Sequence, residues 1–279
     1  MSYKIVVDSC CDLTKELKQS GVFQVIPLTL QVGEKFIVDD ETFDQAAFLK
    51  AVKECPDCPK SACPSPEQYK TAYEENGDMI FVVTLSQHLS GSYNSAVLAK
   101  NLYIEEHGED KQIHIFSSDS AACGETLIAM KLRELADQGK TFEEIVEEVE
   151  YFRDHMLTYF VLETLDSLKK NGRLTGVQAL LAAALNIKPL MAGDHGVIVK
   201  LDQARGIRKA LGKLVQHLSK SVKEPESKIL GISHCNCPER AEYVKEQLCK
   251  LVKFKDVYIA EAAGVTSLYA SDGGVVVTV

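Results

Sequence analysis

The sequence has no long apolar run, and this excludes a membrane-spanning chain. A transmembrane helix needs about 18 consecutive apolar residues, and the most apolar stretch, 180–190, is interrupted by Asn186 and Lys188. Charged residues follow the first methionine closely, where a signal peptide would carry its apolar core. We therefore expect a cytoplasmic protein that does not insert stably into a membrane.

Three motifs that mark common nucleotide and catalytic sites are also absent. There is no Gly-x-x-x-x-Gly-Lys-Ser/Thr loop, no Gly-x-Gly-x-x-Gly after the first strand and no Gly-x-Ser-x-Gly elbow. Asp8 follows the first apolar run, but Cys10 stands where a phosphatase-like site would need a second aspartate. We therefore expect no nucleotide or dinucleotide cofactor.

Positive charge is scarce in the first half of the chain. The formal net charge is -9, with an excess of acidic residues in 1–155 and of basic residues in 156–279. An acidic half argues against nucleic acid, whose binding needs clustered Lys and Arg. In the second half the positive charge concentrates at Arg205, Arg208, Lys209, Lys213, Lys220 and Lys223. This segment is either a solvated helix face or a docking face for an acidic partner.

Cysteine is plentiful, yet its pattern does not predict disulfides. The chain has nine cysteines, an odd number, and no secretory signal. Cys55 and Cys58 have the spacing of metal ligands, and His234, Cys235 and Cys237 could supply others. Because Cys-x-Cys is not the usual second half of a zinc site, we expect reduced structural thiols and no metal.

The first half of the chain repeats a unit of strand, polar turn and helix. Apolar runs at 4–7, 79–85 and 113–116 each lead into a polar turn and then into apolar residues at helical spacing. Three such units predict parallel strands joined by right-handed crossovers. We expect an N-terminal α/β domain at 1–155, with a helix starting near Ser9 and Asp12 and an irregular, proline-rich loop at 55–66.

The second half is less regular and predicts a mixed sheet. Strands are expected at 159–162, 188–191, 197–200, 228–233 and 257–260, with helices at 165–170, 180–185, 205–221 and 238–251. We expect a second α/β domain at 156–279, consistent with about 150 residues per domain. The apolar segment 177–190 would line a ligand tunnel or simply pack in the core.

Hydroxyl groups cluster where the predicted parallel strands end. Ligands of such sheets lie beyond the carboxyl ends of the strands, which here carry Ser9, 86–92 and 117–120. Gly91, between Ser90 and Ser92, would let the backbone approach a ligand, and the helix behind it would direct free N–H groups there. The pattern suits a small anion such as a carboxylate, although the same serines could serve only as helix caps and turn residues.

The order of these motifs resembles the DegV family of bacterial fatty-acid-binding proteins. The resemblance is carried by Val7-Asp8-Ser9, by the segment KSACPSP at 60–66, by TLSQHLSGSYNSA at 84–96 and by LDSLKKNGRLTG at 165–176. It covers essentially the whole chain. Its more specific parts are the Ser-Gly-Ser-Tyr and Gly-Arg-Leu-Thr-Gly segments.

The resemblance implies two α/β domains that bury one long-chain fatty acid, with no other cofactor. By position, Ser61, Ser90 and Ser92 would contact the carboxylate around Gly91, and Arg173 would lie near the mouth of the site. Members of the family present the bound acid to a separate fatty acid kinase, which makes acyl phosphate for phospholipid synthesis.

Two residues depart from the family pattern. Ala62 replaces a serine, and Tyr269 stands where the family has a histidine. A tyrosine can donate a hydrogen bond but cannot supply the positive charge of a protonated histidine. The departures bear more on coupling to the kinase than on acyl binding.

The sequence thus favours a lipid carrier that is not an enzyme, and it leaves two alternatives open. One is a serine-dependent acyl hydrolase built from Ser92, His88 and Asp119, although His88 lies in the same turn as the serine and is poorly placed as its base. The other is a small-molecule sensor without chemistry.

Overall fold

The computed structural model describes residues 2–75, 77–174 and 186–279. Its strands form three sheets, of four, six and three strands. No helix within the described ranges is long and apolar enough to cross a bilayer.

Strands and helices alternate in the first half of the chain. The strands are β1 Tyr3–Asp8, β2 Phe23–Ile26, β3 Thr29–Val32, β4 Lys35–Val38, β5 Lys60–Ala62, β6 Met79–Thr84 and β7 Gln112–Ser117. The helices are α1 Lys15–Gln19, α2 Gln45–Glu54, α3 Pro66–Glu74, α4 Ser92–His107, α5 Cys123–Asp137 and α6 Phe142–Asp154.

The second half carries the remaining elements. The strands are β8 Thr158–Val161, β9 Ile187–Asp194, β10 Val197–Arg205, β11 Ile229–His234, β12 Asp256–Glu261 and β13 Val275–Thr278. The helices are α7 Asp166–Lys170, α8 Ile207–Ser221, α9 Pro238–Leu251 and α10 Gly264–Ala270.

The four-stranded sheet is wholly parallel, as the sequence predicted. Its strand order is β2-β1-β6-β7. Successive side chains of a strand point to opposite faces, so Ile5 and Val7 pack against α5 and α6 while Val6 packs against α3 and α4. Helices therefore cover both faces, and the carboxyl ends of the strands lie together at one edge.

The six-stranded sheet is mixed, again as predicted. Its order is β10-β9-β8-β13-β11-β12, and only β11 and β12 run parallel. Apolar residues of α8 and α9 pack on one face. The separate sheets confirm the α/β class, while the domain boundary between 155 and 156 stays a prediction.

The third sheet corrects our expectation of an irregular loop at 55–66. Lys60–Ala62 forms β5 and pairs antiparallel with β3, placing Ser61 opposite Leu30. Proline disrupts a strand by removing a backbone donor, but the three residues between Pro59 and Pro64 that form β5 contain none. The order of this small sheet is β4-β3-β5.

The predicted helix start at Ser9 and Asp12 is wrong. Helix α1 begins at Lys15, with Thr14 as its cap. The Ser9 hydroxyl instead accepts a hydrogen bond from the Leu28 N–H at 3.0 Å, and the Asp12 carboxylate accepts one from the distant Ala263 N–H at 2.7 Å. Both polar side chains thus stabilise tertiary contacts that local spacing does not reveal.

Part of the predicted apolar tunnel segment lies outside the described residues. This applies to 177–185 of the segment 177–190, to the helix expected at 180–185, and to Thr175 and Gly176 of the Gly-Arg-Leu-Thr-Gly motif. The described remainder begins at Asn186 and continues into β9.

The cap of α6 provides a test of local stability. The Thr141 side chain accepts from the Glu144 N–H while the Glu144 carboxylate accepts from the Thr141 N–H. Because Thr141→Ala leaves an N-terminal N–H without its partner, we expect it to lower the free energy of unfolding by about 1 kcal/mol, measured by urea denaturation. Thr71→Ala, at an exposed position inside α3, should change it by less than about 0.5 kcal/mol. Equal effects would contradict this role of the cap.

Candidate functional site

Asp8 holds two strand ends together beneath the site. Its buried carboxylate accepts hydrogen bonds from the N–H groups of Cys10 and Leu85, each at 3.0 Å. Cys10 follows β1 and Leu85 follows β6, so one side chain fixes both turns. These turns reach the six-stranded sheet, because the Ser86 hydroxyl donates to the Gly196 carbonyl at 2.8 Å.

The Ser-Gly-Ser turn packs closely against Cys63, the residue that follows β5. A Cβ atom on Gly91 would lie 3.1 Å from the Cys63 sulfur, so a side chain there would crowd the contact. The Ser90 hydroxyl, half-buried, accepts from the Ser92 N–H at 3.2 Å. The Ser92 hydroxyl is fully buried and hydrogen-bonded to the Tyr69 hydroxyl at 3.0 Å. Of the two serine hydroxyls, that of Ser90 is therefore nearer to the surface.

Ser61, Tyr269 and Arg173 come together although they are far apart in the sequence. The hydroxyls of Ser61 and Tyr269 are hydrogen-bonded at 2.9 Å, and the Arg173 guanidinium carbon lies 5.6 Å from the centre of the Tyr269 ring. All three side chains are half-buried. We call these three residues the Ser-Tyr-Arg cluster.

The position of Arg173 is fixed by backbone oxygens. Its Nε donates to the Leu89 carbonyl at 3.1 Å, beside Ser90, and its Nη1 donates to the Asn171 carbonyl. The Asn171 amide in turn donates to the Pro59 carbonyl at 2.9 Å, just before β5. These partners are neutral carbonyl groups, so they do not offset the positive charge of the guanidinium, which is available to an anionic ligand.

An apolar cavity adjoins the Ser-Tyr-Arg cluster. The volume inside the cavity that the centre of a water-sized molecule can reach is about 100 Å³. Arg173 and Tyr269 contribute to its wall, which is otherwise mostly apolar and includes Leu85, Leu89, Phe160, Leu162, Leu168, Ile198, Val265 and Val276. Among the described residues, Ser61 and the 90–92 turn lie beside this wall and not in it. The cavity thus has a polar corner and apolar sides.

Four buried acids lie behind the site, a feature that the sequence did not lead us to expect. They are Asp8, Asp12, Asp39 and Glu125. Burial raises the pKa of Asp8 to about 6 and that of Asp12 to about 7. Burial and the nearby Asp8 charge raise the pKa of Glu125 well above its ordinary value. Neither carboxyl oxygen of Glu125 has a hydrogen-bond partner among the described residues. The only signal in the sequence was Asp8 at the end of a buried strand.

The arrangement of Ser92, His88 and Asp119 does not favour a hydrolase. The Ser92 hydroxyl is hydrogen-bonded to Tyr69, His88 is exposed, and Asp119 accepts from the Ser117 hydroxyl at 2.8 Å. None of the hydrogen bonds in the described part of the chain joins Ser92 to His88. A nucleophilic serine needs such a contact with its base.

In the described ranges, one group of side chains lies close enough together to hold a metal ion. It consists of Glu74, Glu106 and His107, all exposed. The Lys70 ammonium already lies 2.7 Å from a Glu106 carboxylate oxygen, so the group is a surface ion-pair network with a cation of its own. It is formed by α3 and α4 and contributes nothing to the cavity wall.

The buried Asp12 predicts a specific dependence of stability on pH. Its pKa rises from 3.8 to about 7 on folding, so the folded protein keeps a proton that the unfolded chain releases in this range. Stability should therefore fall as pH rises from about 4 through about 7. The side chain introduced by Asp12→Asn cannot titrate. The variant should therefore lose less unfolding free energy than the wild type between about pH 5 and about pH 8, by an amount on the order of 2 kcal/mol, measured by thermal denaturation. The exposed Asp57→Asn serves as control, and parallel pH profiles for all three proteins would refute the assignment.

Comparisons with known proteins identify the family of this chain. A family model described as "Uncharacterised protein, DegV family" matches residues 2–279. A DegV domain-containing protein of Streptococcus pneumoniae is 35% identical over 281 residues, which cover 98% of this chain and 97% of that protein.

Solved structures are also similar over the full length. A DegV family protein from Ruminococcus gnavus, refined with vaccenic acid, is 48% identical with a TM-score of 0.97, covering 100% of both chains. The Fatty Acid Kinase (Fak) B3 protein of S. pneumoniae, loaded with linoleic acid, is 33% identical with a TM-score of 0.91, covering 100% of this chain and 99% of that one. The chain described here belongs to the DegV family.

Proposed function

We propose that this protein is a cytoplasmic carrier that binds one long-chain fatty acid and presents its carboxylate to a fatty acid kinase. The observation that carries the proposal is the apolar cavity with the Ser-Tyr-Arg cluster at one corner. The R. gnavus and S. pneumoniae relatives hold fatty acids, and this chain has an apolar space and polar groups suited to the same class of ligand.

The carboxylate would bind at the Ser-Tyr-Arg cluster. The hydroxyls of Ser61 and Tyr269 can rotate to donate to an anion, and Arg173 adds a charge-assisted hydrogen bond. Ser90 and Gly91 stand at the start of α4, a helix of 16 residues whose first N–H groups favour an anion nearby. Ser92 would act through the turn, because its own hydroxyl is hydrogen-bonded to Tyr69.

The acyl tail would occupy the apolar cavity. A single alkyl chain is slender, so a narrow space lined by leucine, isoleucine, valine and phenylalanine can shield it. Each buried methylene contributes about 0.8 kcal/mol, so ten to fourteen of them contribute roughly 8–11 kcal/mol before the cost of association. Tail burial thus accounts for most of the affinity, while the Ser-Tyr-Arg cluster selects the head group.

The exposed positive charge of the second half would dock the kinase. Arg205 ends β10, and Arg208 and Lys209 lie in the first turn of α8; all three are exposed and none forms an ion pair with a described acid. Lys213 differs, because its ammonium lies 2.7 Å from the Asp202 carboxylate. We therefore assign docking to the surface of Arg205, Arg208 and Lys209, which we call the basic surface.

Lipid extraction tests the carrier function directly. Protein purified from cells should release about one equivalent of fatty acid into organic solvent, detected by mass spectrometry. Tyr269→Phe removes a hydroxyl donor to the carboxylate and should weaken fatty acid binding by about tenfold. Tyr103→Phe, whose hydroxyl donates to Asp110 away from the cavity, should leave binding unchanged. Failure of the wild-type protein to hold or bind any fatty acid would refute the function.

Charge reversal tests the role of the basic surface. Replacing Arg205, Arg208 and Lys209 by glutamate should lower acyl-phosphate formation with the cognate kinase by at least about tenfold, because the acidic partner surface is then repelled. Fatty acid binding, measured separately, should persist.

A matched triple variant controls for net charge. Lys220, Lys223 and Lys253 are also exposed but lie away from the start of α8, and their replacement by glutamate changes the total charge equally. We expect kinase coupling to survive in this protein. Unchanged coupling in the first variant would remove the docking assignment without affecting the acyl-binding proposal.

A further inference from the structure

Helix α10 begins without a capping side chain of its own. The residue before its first turn is Ala263, which offers no side-chain acceptor. The N–H groups of Gly264 and Val265 instead donate to the two carboxylate oxygens of Asp39, at 2.7 and 2.8 Å. Asp39 is only 3% exposed. A buried carboxylate more than 200 residues earlier in the chain therefore caps this helix.

The contact between Asp39 and α10 requires a glycine. A Cβ atom on Gly264 would lie 2.5 Å from a carboxylate oxygen of Asp39, closer than real contacts allow. Glycine permits this approach and also leaves its N–H open to the acceptor. Asp39 and Gly264 are thus complementary both in shape and in hydrogen bonding.

The backbone holds Asp39 in place. It directly follows β4, and its N–H donates to the Leu28 carbonyl at 2.9 Å. Its neighbour Asp40 is exposed and accepts from the N–H and hydroxyl of Thr42. Two adjacent aspartates therefore face different surroundings, and only Asp39 touches α10.

Helix α10 connects Asp39 to the head-group site. Val265, Thr266, Tyr269 and Ala270 line the cavity, and the Tyr269 hydroxyl is bonded to Ser61. Ser61 lies on β5, and Asp39 directly follows β4, so the small β4-β3-β5 sheet carries or adjoins both residues. The small sheet is therefore linked to both ends of α10. Asp39 accepts from the N–H groups of the first turn, and Ser61 is hydrogen-bonded to Tyr269 in the last turn.

We propose that Asp39 is a positioning residue for the carboxylate site, which holds Tyr269 beside Ser61 by capping α10. The inference rests on the proposed binding of a fatty acid, and it adds the residue that sets head-group selectivity. Asp39 itself does not touch the ligand. It acts through the place and orientation of the helix that carries Tyr269.

The role needs a carboxylate, not merely a side chain of that size. Asn at this position would keep one acceptor oxygen but would direct an amide N–H group at a backbone N–H group. One donor of the first turn would then be left buried without an acceptor. The helix is expected to shift to regain one, and the shift would displace Tyr269 from Ser61.

Head-group selectivity measures this effect independently of stability. We would measure the dissociation constants of a fatty acid and of the fatty alcohol with the same tail, by calorimetry or fluorescence displacement. Asp39→Asn should lower the preference for the acid on the order of tenfold while affinity for the alcohol stays within about twofold. Asp40→Asn, the matched neighbour, should retain the wild-type preference.

A second variant makes the positioning role distinguishable from a general loss of structure. In a protein that already carries Tyr269→Phe, Asp39→Asn should reduce the preference for the fatty acid much less than it does in the wild type. Both changes act on the same contact between Tyr269 and Ser61, so their effects should not add. If Asp39→Asn does not fold, Asp39→Glu replaces it; it keeps the charge but displaces the carboxylate, and a smaller loss of acid preference is expected.

The outcomes separate this inference from the function on which it rests. A wild-type protein that binds neither compound, or binds both equally, contradicts the proposed function. A wild-type protein that prefers the acid, together with an Asp39 variant of unchanged preference, overturns the role of Asp39. Additive losses in the Tyr269→Phe background overturn it as well.

Discussion

A carboxylate that leaves water needs hydrogen-bond donors in its new surroundings, and this requirement organises the molecule. Asp8 meets it with the N–H groups of Cys10 and Leu85 and thereby joins the ends of β1 and β6. Asp39 meets it with two N–H groups at the start of α10, and one oxygen of Asp12 accepts from the Ala263 N–H just before that helix; both sets of donors come from the other half of the chain. Each acid would be costly to bury alone. Together they fix the turns and the short helix around the cavity.

The site is consequently a junction of elements that no single segment could build. Ser61 comes from the small sheet, Tyr269 from α10, Arg173 from the chain after α7, and the Ser-Gly-Ser turn from the end of a parallel strand. Apolar residues of the six-stranded sheet, of α10 and of the turns that follow the parallel strands form the sides of the cavity. Such a division suits a molecule with one charged end and a long apolar remainder, because each end finds surroundings of its own polarity.

Local patterns predicted the parallel sheet well, since its buried strands and polar turns recur three times. They failed where pairing decides the structure: β5 is a strand because β3 lies beside it. Ser61, Arg173 and Tyr269 were identified by family resemblance and not by spacing. Asp39 could not be identified, because its partners lie at the other end of the chain. The direction of the Ser92 hydroxyl likewise depends on Tyr69, a helix residue with no link to the turn in sequence.

The hairpin of β3 and β4 has a free edge, and Phe36 on β4 is 71% exposed. Surface hairpins accept sequence change more readily than cores do. Because β4 leads directly into Asp39, the proposed role of this residue implies that sequence change in the hairpin would alter ligand choice without altering any residue of the cavity wall. Under the same proposal, relatives with identical cavity residues would differ in ligand preference whenever their hairpins differ, and the cavity residues alone would not predict that preference.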